Sequence, residues 1–385
     1  MDRGNDFHYV VPFDEMHKFI VNCVKVGGCV ESQADSVGRM LLDADSRGHY
    51  SHGVNRLSVY VRDLQTETCK RDGQPFVSKR KGGTALVDGD NALGSVVGEF
   101  CTDLAIELAK EHGVGWVSVH NSNHFGTAGR YAQMAADQGL IGMAFTNTSP
   151  CLFPTRSSKK ALGSNPISFF APTQNGDSFA LDMATSTVAY GKIEMARTKG
   201  KDQVPRGWGA DPNGNETTEP QRILDKGGLL PVGGIEESGG YKGTGLCMMV
   251  EILCGILGGA SFGKNVREWQ GVAKKADLGQ CFVVLDPSCF APNFSDKLQE
   301  FLNETRELEP VDLERRVRVP GDFSKQHIES IDFIVVFFNL PNPRIIIASL
   351  MIYSPYPGTA RLIPIDRTDL PSSIDYPVTE NTQLI

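Results

Sequence analysis

Between Asp43 and Arg56 the chain gathers two aspartates, two arginines, two imidazoles and two serines. Histidine is the side chain whose ordinary pKa lets it give or take a proton near neutrality. Arginine presents a planar fork that grips a carboxylate bidentately. Ser51, adjacent to His52, can orient the ring or relay its proton, and Arg56 follows five residues after Ser51. One reading is a proton-transfer site for a carboxylate-bearing molecule. The other is a polar helix end whose side chains satisfy one another, and the stretch taken alone favours it. A Ser-His-Asp hydrolase is weaker still, because this stretch contains no Gly-x-Ser-x-Gly turn.

Three further clusters have residue types suited to ligands. His120-Asn121-Ser122-Asn123-His124-Phe125-Gly126-Thr127-Ala128-Gly129 follows an apolar run of strand character, and polar residues where a strand feeds a helix are where α/β proteins place ligands. His120 and His124 stand four apart, a spacing that on a helix would let both bind one metal ion. Gly126 and Gly129 favour a loop instead and no glutamate accompanies them, so no metal is expected. Gly163-Ser164-Asn165-Pro166 and Asp182-Met183-Ala184-Thr185-Ser186 are strand ends with small hydroxyl residues, suited to a ribose or phosphate and equally to ordinary turns. Gly239-Gly240-Tyr241-Lys242-Gly243 sets a lysine among glycines ahead of an apolar helix, which suits an anion or a flexible loop. Neither a Walker A loop nor Gly-x-Gly-x-x-Gly after a strand is present, so the usual Rossmann turn is not indicated.

The elements that must hold these clusters are readable from periodicity. Apolar residues three and four apart predict two helices over 12–46, separated by Gly27-Gly28, and a third from Leu57 to Leu64. Lys79-Arg80-Lys81 reads as a solvated turn. Strands are expected at Thr84–Asp88, Gly115–Val119, Ile141–Thr146, Ile167–Ala171, Ser178–Met183 and Cys281–Leu285, with helices over 95–112 and Tyr131–Gln138 between them. This alternation predicts an α/β domain. Thr244–Leu257 is strongly apolar and reads as a buried helix.

With 385 residues the chain is long enough for two or three structural units. A net charge of −8 without a long basic run argues against nucleic-acid binding. The 9 cysteines are odd in number and show no Cys-x-x-Cys pair. They read as reduced thiols, and with no basic-then-apolar leader at the N-terminus the cytoplasm is the expected compartment. The apolar runs Ile331–Leu340 and Ile345–Tyr353 are too short for a membrane span of roughly 18 to 20 residues, so no membrane partner is expected.

Together and in order, these segments resemble the malate/L-lactate dehydrogenase family that lacks the Rossmann fold, which includes L-sulfolactate dehydrogenases, ureidoglycolate dehydrogenases, 2,3-diketo-L-gulonate reductase and Δ1-piperideine-2-carboxylate reductase. The resemblance rests on Asp45-Ser46-Arg47-Gly48, Ser51-His52-Gly53-Val54 with Arg56, Asp88-Gly89-Asp90-Asn91 with Gly94, and Asn123-His124-Phe125-Gly126. It continues through Gly163-Ser164-Asn165-Pro166, Asp182-Met183-Ala184, Gly191-Lys192-Ile193, Pro205-Arg206-Gly207-Trp208, Leu229-Leu230-Pro231, Lys242-Gly243 and Val317-Arg318-Val319-Pro320-Gly321.

The resemblance implies a non-Rossmann NAD(P)-dependent oxidoreductase fold: a mixed central sheet with an N-terminal helical domain. It implies a helical domain over 1–75, joined by about 265–330, an α/β domain over 76–264 that binds cofactor and substrate, and an atypical tail over 331–385. It implies hydride transfer between NAD or NADP and a small 2-oxo or 2-hydroxy acid by a homodimer. His52 matches the family's proton donor, Ser51 its relay and Arg56 the carboxylate clamp, while His124 matches a residue named as acid/base in some members. Ser164 matches a substrate contact. His124, Phe125, Gly126, Thr127, Ala128, Thr148, Asp182, Met183, Ala184, Lys242 and the turn Pro320-Gly321-Asp322 match cofactor-binding segments. Beyond about residue 327 the family pattern is lost. Two alternatives follow: an impaired relative that only binds its ligand because of its C-terminus, or a reductase of cyclic imines bearing a 2-carboxylate.

Overall fold

The computed structural model describes residues 8–269, 271, 274–330, 333–337 and 363–364. In chain order the elements begin with strand β1 (His8–Pro12) and helices α1 (Phe13–Val26), α2 (Glu31–Ser46) and α3 (Leu57–Gln65). Then come β2 (Phe76–Lys81), β3 (Thr84–Asp88), α4 (Gly94–His112), β4 (Val114–Ser122), α5 (Ala128–Ala136), β5 (Ile141–Thr146), β6 (Ile167–Pro172) and β7 (Ser178–Met183). A stretch of short elements follows: α6 (Tyr190–Thr198), β8 (Gly209–Ala210), β9 (Glu216–Thr217), α7 (Pro220–Leu224) and β10 (Gly228–Leu229). The chain continues with α8 (Gly240–Glu251), β11 (Leu278–Leu285), α9 (Phe294–Arg306), α10 (Asp322–Ser330), β12 (Phe333–Phe337) and β13 (Ile363–Pro364). These elements form two compact units, one of Met1–Gln65 with Asp322–Ile385 and one of Thr66–Gly321.

In the first unit α1 buries Met16, Ile20, Cys23 and Val24, while α2 buries Val37, Met40, Leu41 and Ala44. The spacing of those apolar residues is why the two segments are helical and why they pack on each other. Gly28, at φ +97°, adopts the left-handed conformation that reverses the chain between them. Strand β1 lies between β12 and β13, antiparallel to both.

The second unit is built on a seven-stranded mixed sheet in the order β2-β3-β4-β11-β5-β6-β7. Only β3 and β4 run parallel, joined through α4; every other neighbouring pair is antiparallel. Strand β11, far along the chain, fills the centre between β4 and β5. Its residues from Leu278 to Val284 are all buried, which accounts for an apolar run without alternation. On one face α4 and α5 cover Val117, Val119, Ala144, Phe282 and Val284 with Val97, Cys101, Leu104, Leu108, Tyr131 and Ala135. Each large side chain so buried contributes about 1.5–3 kcal/mol. A methyl group on Gly115 would overlap the Ala105 carbonyl, so glycine is what allows α4 to lie flat on β4. On the other face Val250 and Cys254, at the end of α8 and just beyond it, pack on Phe145, Cys281 and Val283.

The mixed α/β fold expected from sequence is the fold observed, and the boundaries of β5 and β7 coincide with those expected. Two local expectations are corrected. Lys79, Arg80 and Lys81 lie in β2, not in a turn; β2 is an edge strand, solvated along its whole length, and Arg80 pairs with Glu107 and Glu111. Such charges blunt an open sheet edge. The apolar segment Thr244–Leu257 is not uniformly buried: Leu246, Met248, Met249, Ile252, Ile256 and Leu257 are 37 to 56% exposed. It also changes from α-helix to a π-helical turn at Ile252–Ile256. Of the 331–385 tail only β12 and β13 are described, and the rest of that expectation lies outside the described residues. No helix among the described residues is long and apolar enough to cross a membrane.

Candidate functional site

Ser51, His52 and Arg56 lie on two consecutive 3₁₀ turns, Tyr50–His52 and Val54–Arg56, between α2 and α3. Buried Asp45, near the end of α2, organises the second turn. Its Oδ2 accepts a hydrogen bond from the Val54 amide at 2.9 Å, and any side chain at Gly53 would overlap its carboxylate. Burial pushes the Asp45 carboxyl up from 3.8 to about 7, against the opposing pull of the Val54 amide.

On this scaffold the Ser51 hydroxyl sits 2.8 Å from His52 Nδ1. Arg56 Nε donates to the Ser51 carbonyl at 2.6 Å, which ties the guanidinium to the same turn. Burial first, then the charges of His49 and Arg56, push His52 down from 6.5 to about 4. Its ring is therefore neutral at physiological pH. On the outer side of the turn the Tyr50 hydroxyl meets His327 Nε2 at 2.9 Å, and the His327 ring stacks on Phe323. Both partners belong to α10, and nothing in the local sequence around Ser51 signalled them.

The other expected residues, apart from Asp322 at the start of α10, belong to the second unit. His124 follows β4 in the loop before α5, so His120, inside β4, and His124 do not share a helical face. Among the described residues no three His, Cys, Asp or Glu side chains gather as a metal site. His124 Nδ1 accepts from the Gly126 amide at 3.4 Å, and its ring lies against Trp269 at 5.0 Å. Phe125 is buried and stacked on Tyr131, whose hydroxyl donates to the Phe125 carbonyl at 2.6 Å. Gly126 has φ +80°, Thr127 is the N-cap of α5, and Ala128 begins the helix.

Asp182, at the end of β7, accepts from the Gly129 amide at 3.0 Å. That bond joins the 124–128 loop to Asp182-Met183-Ala184, and Gly129 must lack a side chain because a methyl would run into the Asp182 carboxylate. The Ala180 amide donates to the Pro320 carbonyl at 3.0 Å, and Gly321 at φ +104° lies against Ala180. Three of the expected cofactor segments thus meet along β7, at Ala180 and Asp182. Thr148 and Ser164 meet separately, with their hydroxyls 3.5 Å apart. Lys242, in the first turn of α8, is exposed, its Nζ 5.9 Å from the neighbouring Tyr241 ring. Asn147 and Glu251, linked by hydrogen bonds to each other and through Glu251 to Asn165, escaped sequence reasoning.

A family model for malate/L-lactate dehydrogenase matches residues 11–331. The malate dehydrogenase of Pyrococcus horikoshii is 42% identical over 305 residues, covering 78% of this chain and 84% of that protein. The structure of sulfolactate dehydrogenase from Methanocaldococcus jannaschii superposes with a TM-score of 0.80 at 32% identity, covering 89% of this chain and 96% of its own. Malate dehydrogenase from Entamoeba histolytica superposes with a TM-score of 0.84 at 27% identity, over 91% of this chain and all (100%) of its own. With its central sheet, its ordered motifs and a match along most of its length, the chain belongs to the malate/L-lactate dehydrogenase family, oxidoreductases that transfer hydride to and from small hydroxy and oxo acids.

Proposed function

We propose that the chain interconverts a 2-oxo acid of the malate or lactate type and its 2-hydroxy acid, with NAD or NADP as hydride partner and His52 as the proton-transfer group. The observation that carries this is the Ser51–His52–Arg56 turn, where a ring nitrogen is held by a hydroxyl and a guanidinium is tied to the same backbone. His124, held by a backbone amide and an indole, is the second candidate for the proton.

The residues at the end of β7 and the start of α5 fit a nicotinamide dinucleotide. Thr127 Oγ1 is buried without a partner there, and a hydroxyl left so invites an acceptor oxygen such as a ribose or phosphate. Asp182, Gly129 and the Pro320-Gly321 turn would frame the same group. When bound, the nicotinamide supplies or accepts the hydride at its C4. In the oxidative direction the neutral His52 ring takes the hydroxyl proton at Nε2 while Ser51 holds Nδ1. Arg56 grips the substrate carboxylate and so fixes the reacting C2 carbon. That carboxylate also offsets one of the two charges that depress His52, making the ring a better proton carrier once substrate is bound.

A homodimer is supported by Met248, Ile252 and Ile256, which stand four apart and form an exposed apolar stripe on α8 and its π-turn. A cytoplasmic location is supported by nine free thiols, most of them buried. Steady-state kinetics on malate, lactate, sulfolactate and a cyclic imine carboxylate with each cofactor, comparing wild type with His52→Ala, test the assignment. A loss of about 10²–10⁴-fold in the variant is expected; equal turnover by the two proteins refutes the role of His52.

A further inference from the structure

Glu251 closes α8 and is 6% exposed, yet three N–H donors converge on it. Asn147 Nδ2 at 3.1 Å and the Gly263 amide at 2.7 Å reach Oε1, and Asn165 Nδ2 at 2.6 Å reaches Oε2. Each asparagine is also read from its other end by a backbone amide: Thr148 N–H donates to Asn165 Oδ1 at 3.0 Å, and Gly279 N–H donates to Asn147 Oδ1 at 3.0 Å. A backbone amide can only donate, so both asparagines must turn their NH₂ groups towards Glu251. The network therefore has one polarity, and a group that accepts on both oxygens is what completes it.

Its two arms end at the loops of interest. Thr148 follows β5 directly after Asn147, and Ser164 precedes Asn165. The far side of Ser164 is fixed as well, since Thr185 donates to its carbonyl through both its amide, at 2.8 Å, and its hydroxyl, at 2.9 Å. A methyl on the preceding Gly163 would collide with Thr148 Oγ1, so the two loops are in register at van der Waals distance. We propose that Glu251 is a positioning residue for the reaction, its carboxylate setting the orientation of Thr148 and Ser164 through Asn147 and Asn165. This rests on the assignment of Thr148 to the cofactor and Ser164 to the substrate.

Glu251→Gln tests it. A glutamine has the same shape but must point an NH₂ group either at Asn165 Nδ2 or at Asn147 Nδ2 and Gly263 N–H, so at least one donor faces another donor. Misalignment of this kind costs up to about 10²-fold in rate. The expected result is a fall of about 10–100-fold in kcat/KM for the 2-oxo acid, shared between kcat and the KM values of both substrates, with the melting transition still cooperative. Adding Asn165→Asp returns an acceptor-only group opposite the introduced glutamine and still accepts from Thr148 N–H, but it sets an oxygen against the Cys247 carbonyl to which Asn165 donates, so the rescue is partial. The double variant should therefore regain part of the lost kcat/KM, at least about threefold. Unchanged kcat and KM in Glu251→Gln, or a double variant no better than the single one, overturns the proposal while wild-type turnover leaves the reaction assignment standing. A wild type without turnover on any 2-oxo acid refutes the assignment and the proposal with it. If the single variant does not fold, the double variant decides: folded with turnover supports the polarity, and folded without it refutes it.

Discussion

Replacing Asp45 by asparagine should make the protein more stable, and increasingly so as pH rises. Asp45 is 7% exposed, and its carboxyl is raised from 3.8 to about 7 in the folded chain. Below pH 4 it is protonated in both folded and unfolded states and contributes nothing to the difference. Between pH 4 and 7 the folded state holds a proton that the unfolded state has released, so stability falls as pH rises. Above pH 7 the cost has reached its full size. Each tenfold difference in proton affinity is worth about 1.4 kcal/mol, so the full cost is about 4 kcal/mol. Asparagine cannot ionise, keeps a carbonyl oxygen for the Val54 amide, and fits beside Gly53. Urea unfolding of wild type and Asp45→Asn at pH 4.5, 6, 7 and 8 should show a gap of about 1 kcal/mol at the lowest pH that opens to about 4 kcal/mol at the highest. Parallel pH curves for the two proteins, or a variant less stable than wild type at pH 8, would refute the assignment of the carboxyl to a costly buried site.

If His52 is the proton acceptor in hydroxy-acid oxidation it must be neutral, and burial first, then its interactions with His49 and Arg56, hold it near 4. The pH profile of kcat/KM should therefore be flat from about pH 5.5 to 7 and fall only near pH 4; a limb at the ordinary value of about 6.5 that vanishes in His52→Ala would contradict it. Arg56→Lys keeps the charge but loses the planar fork, so KM for the 2-oxo acid should rise about 10–100-fold while the KM for cofactor moves little. An unchanged substrate KM would place the carboxylate elsewhere. Met248→Glu with Ile252→Glu puts charge on the exposed stripe of α8 and should convert a dimer to a monomer in sedimentation velocity. Wild type sedimenting as a monomer at micromolar concentration would remove the dimer.

Much of the fold was legible because its signals are local. The first two helices declare themselves through apolar spacing and an intervening glycine pair, and β5 and β7 through short, mostly apolar runs of strand length. Strand β2 was not, because an edge strand exposed along its length carries no burial pattern. Helix α8 was misread as buried because hydropathy reports composition, not which face meets a neighbour. At the site, Ser51, His52 and Arg56 were visible as a tight group of reactive types, and Asp182 as an acid at a strand end. The residues that orient them were not. His327 reaches Tyr50 from 277 positions away, and Glu251 is a single acid at the end of a helix that also carries Lys242 and Thr244. Partnerships of that kind depend on tertiary packing, to which periodicity is blind.

The first unit is written in two pieces, with all of Thr66–Gly321 synthesised between them. Helices α1 to α3 and the His52 turn leave the ribosome early, but β12 and β13, the partners of β1, come from the second piece, as does His327. At about 5–20 residues per second, the wait is roughly ten seconds to a minute. Over that interval the contiguous second unit is complete, while Tyr50 still lacks its partner His327. The order of synthesis is thus built into the chain: the whole seven-stranded sheet is made before the strands and the histidine that complete the first unit.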